Sequence, residues 1–139
     1  MYFIDANIFL ELELGQAKAR DCKAFLTKVS NGQSEALTSD FVVDTVCIVM
    51  EREGMTADKI RIFLVSLVLY KGLHIHTMSM LDKVETTLRM LETGLDFDDA
   101  TAVQCMHRNN ISDIVSYDPH FDGKRGIRRL APEQTDRRI

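Results

Sequence analysis

The sequence predicts an α/β fold: a single three-layer α/β/α domain in which helices cover both faces of a central sheet of short parallel strands. The 139 residues, 15.8 kDa, suffice for one domain of ordinary size. Short β-branched and aromatic runs alternate with longer stretches of helical periodicity, which is typical of a parallel sheet. No repeat or Pro/Gly-rich linker interrupts the chain, so we expect residues 1–139 to form one unit.

The first part of the chain predicts a strand followed by two helices. Residues 2–4 are aromatic and β-branched, which favours a buried strand that ends at Asp5. Residues 6–14 read as a helix that a glycine stops. Residues 17–29 repeat apolar side chains near the 3.6-residue period and form the second helix.

The middle of the chain predicts a brief strand and two more helices. Residues 35–37 form the strand, and any of residues 38–40 can cap the helix that runs through the apolar stretch 41–50. Thr56 caps the next helix, residues 57–70. Its apolar run predicts that this helix is largely buried.

The remaining elements are two strands with two helices between them. Residues 73–76 alternate as in a strand, and residues 79–91 have one apolar face, as in an amphipathic helix. Asp96 can cap a helix over residues 97–107. Residues 111–115 then lead into the last inner strand.

Composition excludes several classes of protein. The best candidate for a membrane span, residues 60–69, is too short and contains Arg61. No basic segment precedes the first apolar residues, so we predict a cytoplasmic protein that has no contact with a membrane. The cysteines are odd in number and form no Cys-x-x-Cys pattern, which indicates buried side chains rather than disulfides or a zinc site.

The net charge of −4 hides an asymmetry along the chain. Residues 1–123 contain 11 Lys and Arg against 19 Asp and Glu, whereas residues 124–139 contain 6 against 2. The basic tail is either a solvated chain end or a segment that contacts an anion repelled by the rest of the molecule.

Acidic residues occupy the positions where a parallel sheet forms its ligand crevice. Asp5 follows the first strand, Asp98 and Asp99 begin a helix, and Asp118 follows a late strand. Carboxylates brought this close need a cation to remain ionised together. Oxygen ligands without a His or Cys partner favour Mg²⁺ or Mn²⁺, and such a cluster suits hydrolysis of a phosphodiester.

Three further residues have a functional and a structural interpretation. Asn7 can hold a carboxylate or a water through its amide, or simply cap the first helix. Ser116 can orient Asp118, or bond to the backbone at the end of a strand. Asp98 can serve as a further ligand, or as a charge favoured by the helix dipole.

Three motifs make the chain resemble PIN-domain ribonucleases, and VapC-type toxins among them. The motifs are FIDANIFLE at 3–11, LDFDDATAV at 95–103 and IVSYDPHFDG at 114–123. The resemblance places Asp99 at a family acid and Asp96 at a helix cap. It also matches a hydroxyl residue, an acid and an aromatic residue of the family to Ser116, Asp118 and Phe121.

A fourth segment, residues 38–53, departs from the family pattern. The family has an Asp-Glu pair at the start of the second core helix, with the glutamate in the metal site, whereas this chain has Asp44-Thr45. Thr45 stands at the glutamate position. Asp44 lies one residue earlier, about 100° around a helix.

The leading functional hypothesis is therefore a metal-dependent endoribonuclease, the toxin of a toxin–antitoxin pair. In this hypothesis Asp5, Asp99 and Asp118 bind Mg²⁺ or Mn²⁺, and Asp44 either assists them or does not reach the site. The resemblance implies an RNA substrate, a homodimer and an antitoxin partner. The residues expected to hold the RNA backbone are Lys124, Arg125, Arg128 and Arg129.

Two alternatives come from other functional classes. One is a PIN-like module that binds RNA or assembles with protein but cleaves poorly because of the Asp44-Thr45 change. The other is a phosphoacceptor signalling domain, which would need a second acid beside Asp5 and a lysine after a late strand; neither is evident.

Overall fold

The computed structural model describes residues 1–137, and these form five β-strands, six α-helices and two 3-10 helices. The strands are β1 (Tyr2–Ile4), β2 (Ala36–Ser39), β3 (Leu73–His76), β4 (Asp113–Val115) and β5 (Arg128–Leu130). The α-helices are α1 (Ala6–Glu13), α2 (Ala19–Ser30), α3 (Asp40–Arg52), α4 (Ala57–Leu69), α5 (Met80–Thr93) and α6 (Phe97–Arg108). The 3-10 helices are Pro119–Phe121 and Pro132–Arg137.

All five strands are parallel and lie in the order β3-β2-β1-β4-β5. Tyr2 of β1 is paired with Ala36 of β2 on one side and with Asp113 of β4 on the other. The chain therefore builds outward in both directions from β1. The boundary between β1 and β4 is the topological switch point, where open α/β sheets form a crevice at the carboxyl ends of their strands.

Helices cover both faces of the sheet. The chain passes from β1 through β2 to β3 in one direction and then returns across the sheet to β4. Right-handed connections consequently place α1–α4 on one face and α5 and α6 on the other. The helix contacts agree, because α1 packs on α2 and α3 while α5 packs on α6. The predicted three-layer α/β/α fold is confirmed.

Side-chain caps fix where the helices begin. Ser39, at the end of β2, accepts a hydrogen bond from the Val42 amide and caps α3. Asp96 accepts one from the Asp99 amide at 2.9 Å and caps α6, as predicted. This cap sets the first turn of α6, and with it the position of Asp99.

Strand β5 is a correction to the sequence analysis, which treated its residues as part of a basic tail. Residues 128–130 pair in parallel with β4 at the edge of the sheet. Arg128 also forms a two-pronged ion pair with Asp113 of β4, at 2.9 and 3.2 Å. The Arg-Arg-Leu segment has no apolar run to mark it as a strand, and only the open edge of β4 makes it one.

The prediction that α4 is largely buried is wrong. Phe63 and Leu67 form its buried stripe, but Val68 and Leu69 are 80% and 71% exposed. Helix α5 also carries exposed apolar residues, namely Met80, Leu81, Val84, Leu88 and Leu91. Within residues 1–137, no helix has the combination of length and apolar character that crossing a membrane requires.

Candidate catalytic site

Three acidic residues lie around the carboxyl edge of the sheet at the switch point. Asp5 follows β1 and caps α1, and Asp118 follows β4 and caps the 3-10 helix Pro119–Phe121. Asp99 lies in the first turn of α6. Their charges act on one another, because Asp118 raises the pKa of both Asp5 and Asp99.

Asp5 is held by hydrogen bonds on both carboxylate oxygens. Oδ1 accepts from the amide of Ala6 at 2.8 Å. Oδ2 accepts from the Ser116 hydroxyl at 2.7 Å and from the Asn7 side-chain amide at 3.1 Å. These bonds fix the orientation of the carboxylate beside the crevice.

Asn7 and Ser116 join the start of α1 to the segment that carries Asp118. Asn7 Nδ2 donates to Ser116 Oγ at 3.0 Å, and Asn7 Oδ1 accepts from the Tyr117 amide at 3.2 Å. Ser116 Oγ also accepts from the Asp118 amide at 3.0 Å. The segment that follows β4 is thus fixed relative to Asp5 by side chains that the sequence analysis singled out.

The closest group of potential metal ligands among residues 1–137 is Asp99, Asp118 and His120. Each offers one atom, and these atoms lie within 4.8 Å of one another. His120 Nδ1 lies 3.2 Å from Asp118 Oδ1 and 3.4 Å from Asp99 Oδ2. His120, to which the sequence assigns no role, belongs to this group, whereas Asp5, predicted from the sequence as a ligand, lies outside it.

The signal that could have identified His120 is its position two residues after Asp118. The Asp-Pro-His segment forms a 3-10 turn in which the His120 amide donates to Asp118 Oδ1 at 2.9 Å. This turn brings the imidazole back over the carboxylate that caps it. The sequence shows the short spacing but not the direction of the turn.

Loss of hydration and mutual repulsion raise the pKa values of the acids in this group. Burial, followed by the charges of Asp118, Asp96 and Asp5, raises the pKa of Asp99 to about 6. Burial also raises the pKa of Asp5, against the hydrogen bonds from Ser116 and Ala6. A cation at this edge would oppose both shifts.

Asp98 and Asp44 differ in their relation to this group. Asp98 is exposed in the first turn of α6, and partial loss of hydration together with the charges of Asp96 and Asp118 raises the pKa of its carboxyl. Asp44 is exposed on α3 and is not part of the closest group of donors in the described chain. The Thr45 hydroxyl, at the position of the family glutamate, donates to the Phe41 carbonyl of its own helix at 2.9 Å.

The four basic residues predicted to hold RNA divide into two pairs. Arg128 and Arg129 form ion pairs, with Asp113 and Asp122 respectively. Lys124 Nζ donates to the Thr93 carbonyl at 2.9 Å, and Arg125 is exposed. The structure thus neutralises the charges of the arginines on β5 within the molecule.

The donor set of Asp99, Asp118 and His120 fits a divalent cation. Two carboxylates and one imidazole supply oxygen and nitrogen ligands, and the partial exposure of these side chains leaves room for water or substrate oxygens. Burial and the charges of neighbouring acids raise the pKa of Asp99, and a bound cation would offset that repulsion and favour the ionised carboxylate.

The model of the PIN domain family matches residues 2–126. None of the curated proteins is significantly similar to the chain in sequence. Among solved structures, Mycobacterium tuberculosis VapC20, described as a sarcin-ricin loop cleaving toxin, is similar with a TM-score of 0.71 and 16% identity. The match covers 92% of this chain and 99% of VapC20.

Two further solved structures share the fold. A toxin–antitoxin complex from Klebsiella pneumoniae gives a TM-score of 0.69 at 16% identity, covering 95% of this chain and 98% of the other. VapBC2 from Rickettsia felis, bound to a DNA fragment from its promoter, gives 0.63 at 13% identity, covering 94% and 97%. The parallel sheet, the acids at its switch point and the match over nearly the whole chain lead to one conclusion: the chain belongs to the PIN domain family, a family of nucleases.

Proposed function

We propose that the protein is a metal-dependent endoribonuclease that hydrolyses RNA phosphodiester bonds and acts as the toxin of a toxin–antitoxin pair. The observation that carries the proposal is the convergence of Asp99, Asp118 and His120 at the switch point of a PIN domain. Groups of this kind bind the divalent ions that assist hydrolysis of phosphodiesters.

In this proposal, Asp99, Asp118 and His120 hold the ion. Mg²⁺ or Mn²⁺ is expected from the carboxylates, and the imidazole favours Mn²⁺ because nitrogen ligands suit transition metals. When bound, the ion lowers the pKa of a water and offsets negative charge at the reacting phosphate.

Asp5, Asn7 and Ser116 act as positioning residues. The Asp5 carboxylate holds the Ser116 hydroxyl, and this hydroxyl in turn holds the backbone amide of Asp118. Such bonds behind a metal ligand fix its orientation and are typically worth about 10- to 100-fold in metal affinity or activity. Asp5 also supplies negative charge beside the ligands.

Two observations support RNA as the substrate and an antitoxin as a partner: the similarity to solved structures of toxins, and the exposed apolar surface of α4 and α5. VapC20 is described as cleaving the sarcin-ricin loop, and the Klebsiella structure as a toxin–antitoxin complex. The exposed apolar residues of α4 and α5 offer surface for protein partners, an antitoxin and a second copy of the chain. A cytoplasmic location accords with all three roles.

A second candidate function is a PIN module that binds RNA or assembles with protein but cleaves poorly. The observation that favours it is Thr45, whose hydroxyl is engaged within α3 and supplies no carboxylate to the site. The exposure of Asp44, which lies outside the closest group of donors among residues 1–137, also supports this candidate.

The test is cleavage of fluorescently labelled single-stranded RNA and a sarcin-ricin loop RNA with Mn²⁺, Mg²⁺ or EDTA. We expect cleavage with Mn²⁺, none with EDTA, and a loss of more than about 100-fold in Asp99→Asn and Asp118→Asn. Asp58→Asn, which removes an exposed carboxylate of α4, is the matched control and retains the wild-type rate.

The outcomes separate the two candidates. RNA binding without metal-dependent cleavage supports the impaired module. Cleavage that survives in Asp99→Asn removes this residue from the catalytic site. A circular dichroism spectrum and melting temperature like those of the wild type are required of each variant.

A further inference from the structure

We infer that the cleft between the α5–α6 pair and the segment 123–127 holds the RNA backbone next to the scissile phosphate. The inference rests on the proposed function and assigns it a binding groove. The cleft has a volume of about 1090 Å³, slightly above the ~300–1,000 Å³ of small-ligand pockets, which suits a strand of several nucleotides.

Helix α6 connects the cleft to the catalytic site along one face. Asp99, Val103 and Met106 are spaced by four and three residues, so they follow one another on the same side of the helix. Val103 and Met106 line the cleft, whereas Asp99 belongs to the group of metal donors. Val103 lies about 6 Å along the helix from Asp99, and the cleft extends from there toward His107 at the other end of α6.

The opposite wall also begins at the catalytic site. The chain runs from Asp118 through His120 and directly into Gly123 and Lys124, which line the cleft. Both walls therefore start at members of the metal-donor group. A strand whose phosphate lies at those residues would continue into the cleft without leaving the surface of the protein.

The cleft is basic on a protein of net charge −4. Arg89, Lys124 and Arg125 line it, and Glu92 is the one acidic residue among its lining residues. A local excess of positive charge attracts a polyanion that the rest of the molecule repels.

Two of these cations are held in place and one is free to bind. Lys124 Nζ is held by the Thr93 carbonyl, and Arg89 by Glu92 at 3.1 Å. Arg125 is exposed and has no hydrogen bond or ion pair within residues 1–137.

Apolar side chains also line the cleft, namely Val103, Met106, Ile111 and Ile127. Val103, Met106 and Ile111 are buried in the core, whereas Ile127 is partly exposed. The groups that a strand would contact are therefore mainly the cations, which suit its backbone phosphates.

The experiment measures binding separately from cleavage. A roughly 12-nucleotide fluorescein-labelled single-stranded RNA is titrated by fluorescence anisotropy in EDTA, at several NaCl concentrations, with the full chain. We expect Arg125→Glu to weaken binding about tenfold or more and to reduce the slope of log K against log salt by about one. Lys124→Gln is expected to weaken it less, because it removes a charge without reversing it.

Arg61→Glu is the matched control. Arg61 lies on α4, which takes no part in the cleft, and its ion pair with Asp58 is exposed, so the same change of charge costs little stability. We expect Arg61→Glu to bind RNA as the wild type does. Thermal melting checks that all three variants are folded.

The results distinguish failure of the proposed RNA-binding cleft from failure of the proposed nuclease function. Equal affinities of Arg125→Glu and Arg61→Glu, or no binding by the wild type at low salt, overturn the cleft proposal even where Mn²⁺-dependent cleavage is observed. Weakened binding in Arg125→Glu but not in Arg61→Glu supports it. This holds even where the wild type cleaves no RNA, in which case the proposed nuclease function alone fails.

Discussion

Ser116 shows how one hydroxyl can link two acids that lie 113 positions apart in the sequence. A hydroxyl has one donor and two acceptor sites, and Ser116 uses all of them, toward Asp5, Asn7 and Asp118. The structural and functional interpretations of this residue therefore coincide. The bond to the Asp118 backbone at the end of β4 is also the bond that positions a proposed ligand.

Asp99 is expected to make metal binding depend on pH. Its pKa of about 6, raised by burial and by the charges of Asp118 and Asp96, leaves it about 90% protonated near pH 5 and ionised near pH 7.5. Because a proton competes with the ion, we predict that Mn²⁺ binds about tenfold more weakly near pH 5. Isothermal titration calorimetry with MnCl₂ measures this difference.

Two variants test whether Asp99 causes this pH dependence. Asp99→Asn should bind Mn²⁺ weakly at both pH values, and His120→Gln should retain a difference between them. Equal affinity of the wild type near pH 5 and pH 7.5 contradicts the prediction.

Asp82 is a buried acidic residue that was not identified from the sequence, and it stabilises the fold. Its side chain is 2% exposed and accepts hydrogen bonds from His76, Ser79 and Gln104. Burial disfavours the charge, but these bonds outweigh it and hold the pKa of Asp82 well below its usual range. A carboxyl with a lowered pKa stabilises the folded state above about pH 4, and this contribution is lost as the pH falls further.

We therefore predict that Asp82→Asn lowers the free energy of unfolding by about 2–4 kcal/mol near pH 7. The difference from the wild type should shrink toward pH 3, because Asp82 of the unfolded chain then takes up a proton while the folded carboxyl stays ionised. Urea denaturation at the two pH values measures it. Asp58→Asn, at an exposed ion pair, should cost less than about 1 kcal/mol, and a similar loss in both variants refutes the prediction.

At the scale of elements, α6 combines two tasks in one helix. Its capped first turn positions Asp99, while the following turns form the floor of the basic cleft. Helix α6 is also largely buried, with seven of its twelve residues enclosed. The site and the cleft thus share one rigid support, which keeps their spacing constant.

The turn into β3 depends on a glycine. A Cβ at Gly72 would lie 2.2 Å from the Ser34 carbonyl oxygen and 2.8 Å from that of Val29, both backbone atoms. We predict that Gly72→Ala lowers the free energy of unfolding by about 3 kcal/mol, because the turn that carries residue 72 must move away from the end of α2 and from the segment before β2. Urea denaturation measures the loss.

Gly54→Ala is the comparison for this prediction. Gly54 has a φ of +85° but open space around it, so alanine meets only backbone strain and should cost about 1 kcal/mol. Equal losses in the two variants contradict a steric role for Gly72.

At the scale of the whole molecule, the apolar residues on the outside of α4 indicate a protein partner. Val65, Val68 and Leu69 are all exposed. We predict that the chain is a homodimer in which this surface is buried, with a mass by light scattering of about twice 15.8 kDa. Val65→Asp combined with Leu69→Asp should halve that mass.

Lys59→Asp, on the same helix, is the control and should remain a dimer. A wild-type monomer refutes the homodimer itself. If the variant with both aspartates is still a dimer, the interface lies on another surface.

Local patterns predicted most of the secondary structure and the proposed catalytic acids. The strand Leu73–His76 and the start of α6 at Phe97 are as expected from alternation and from the Asp96 cap. Asp5 and Asp118 were identified because each follows a short apolar strand. These signals involve neighbouring residues, and they hold wherever the segment lies in the fold.

The sequence by itself determined a parallel α/β domain with acids at the ends of its central strands, since strand and cap signals act over a few residues. Only the tertiary structure decided that Arg128 joins the sheet, that Leu69 is exposed and that His120 turns back over Asp118. Each of these depends on which surface a distant segment leaves open. The pairing edge of β4, the limited cover over α4 and the direction of the Asp-Pro-His turn arise only when the chain is folded.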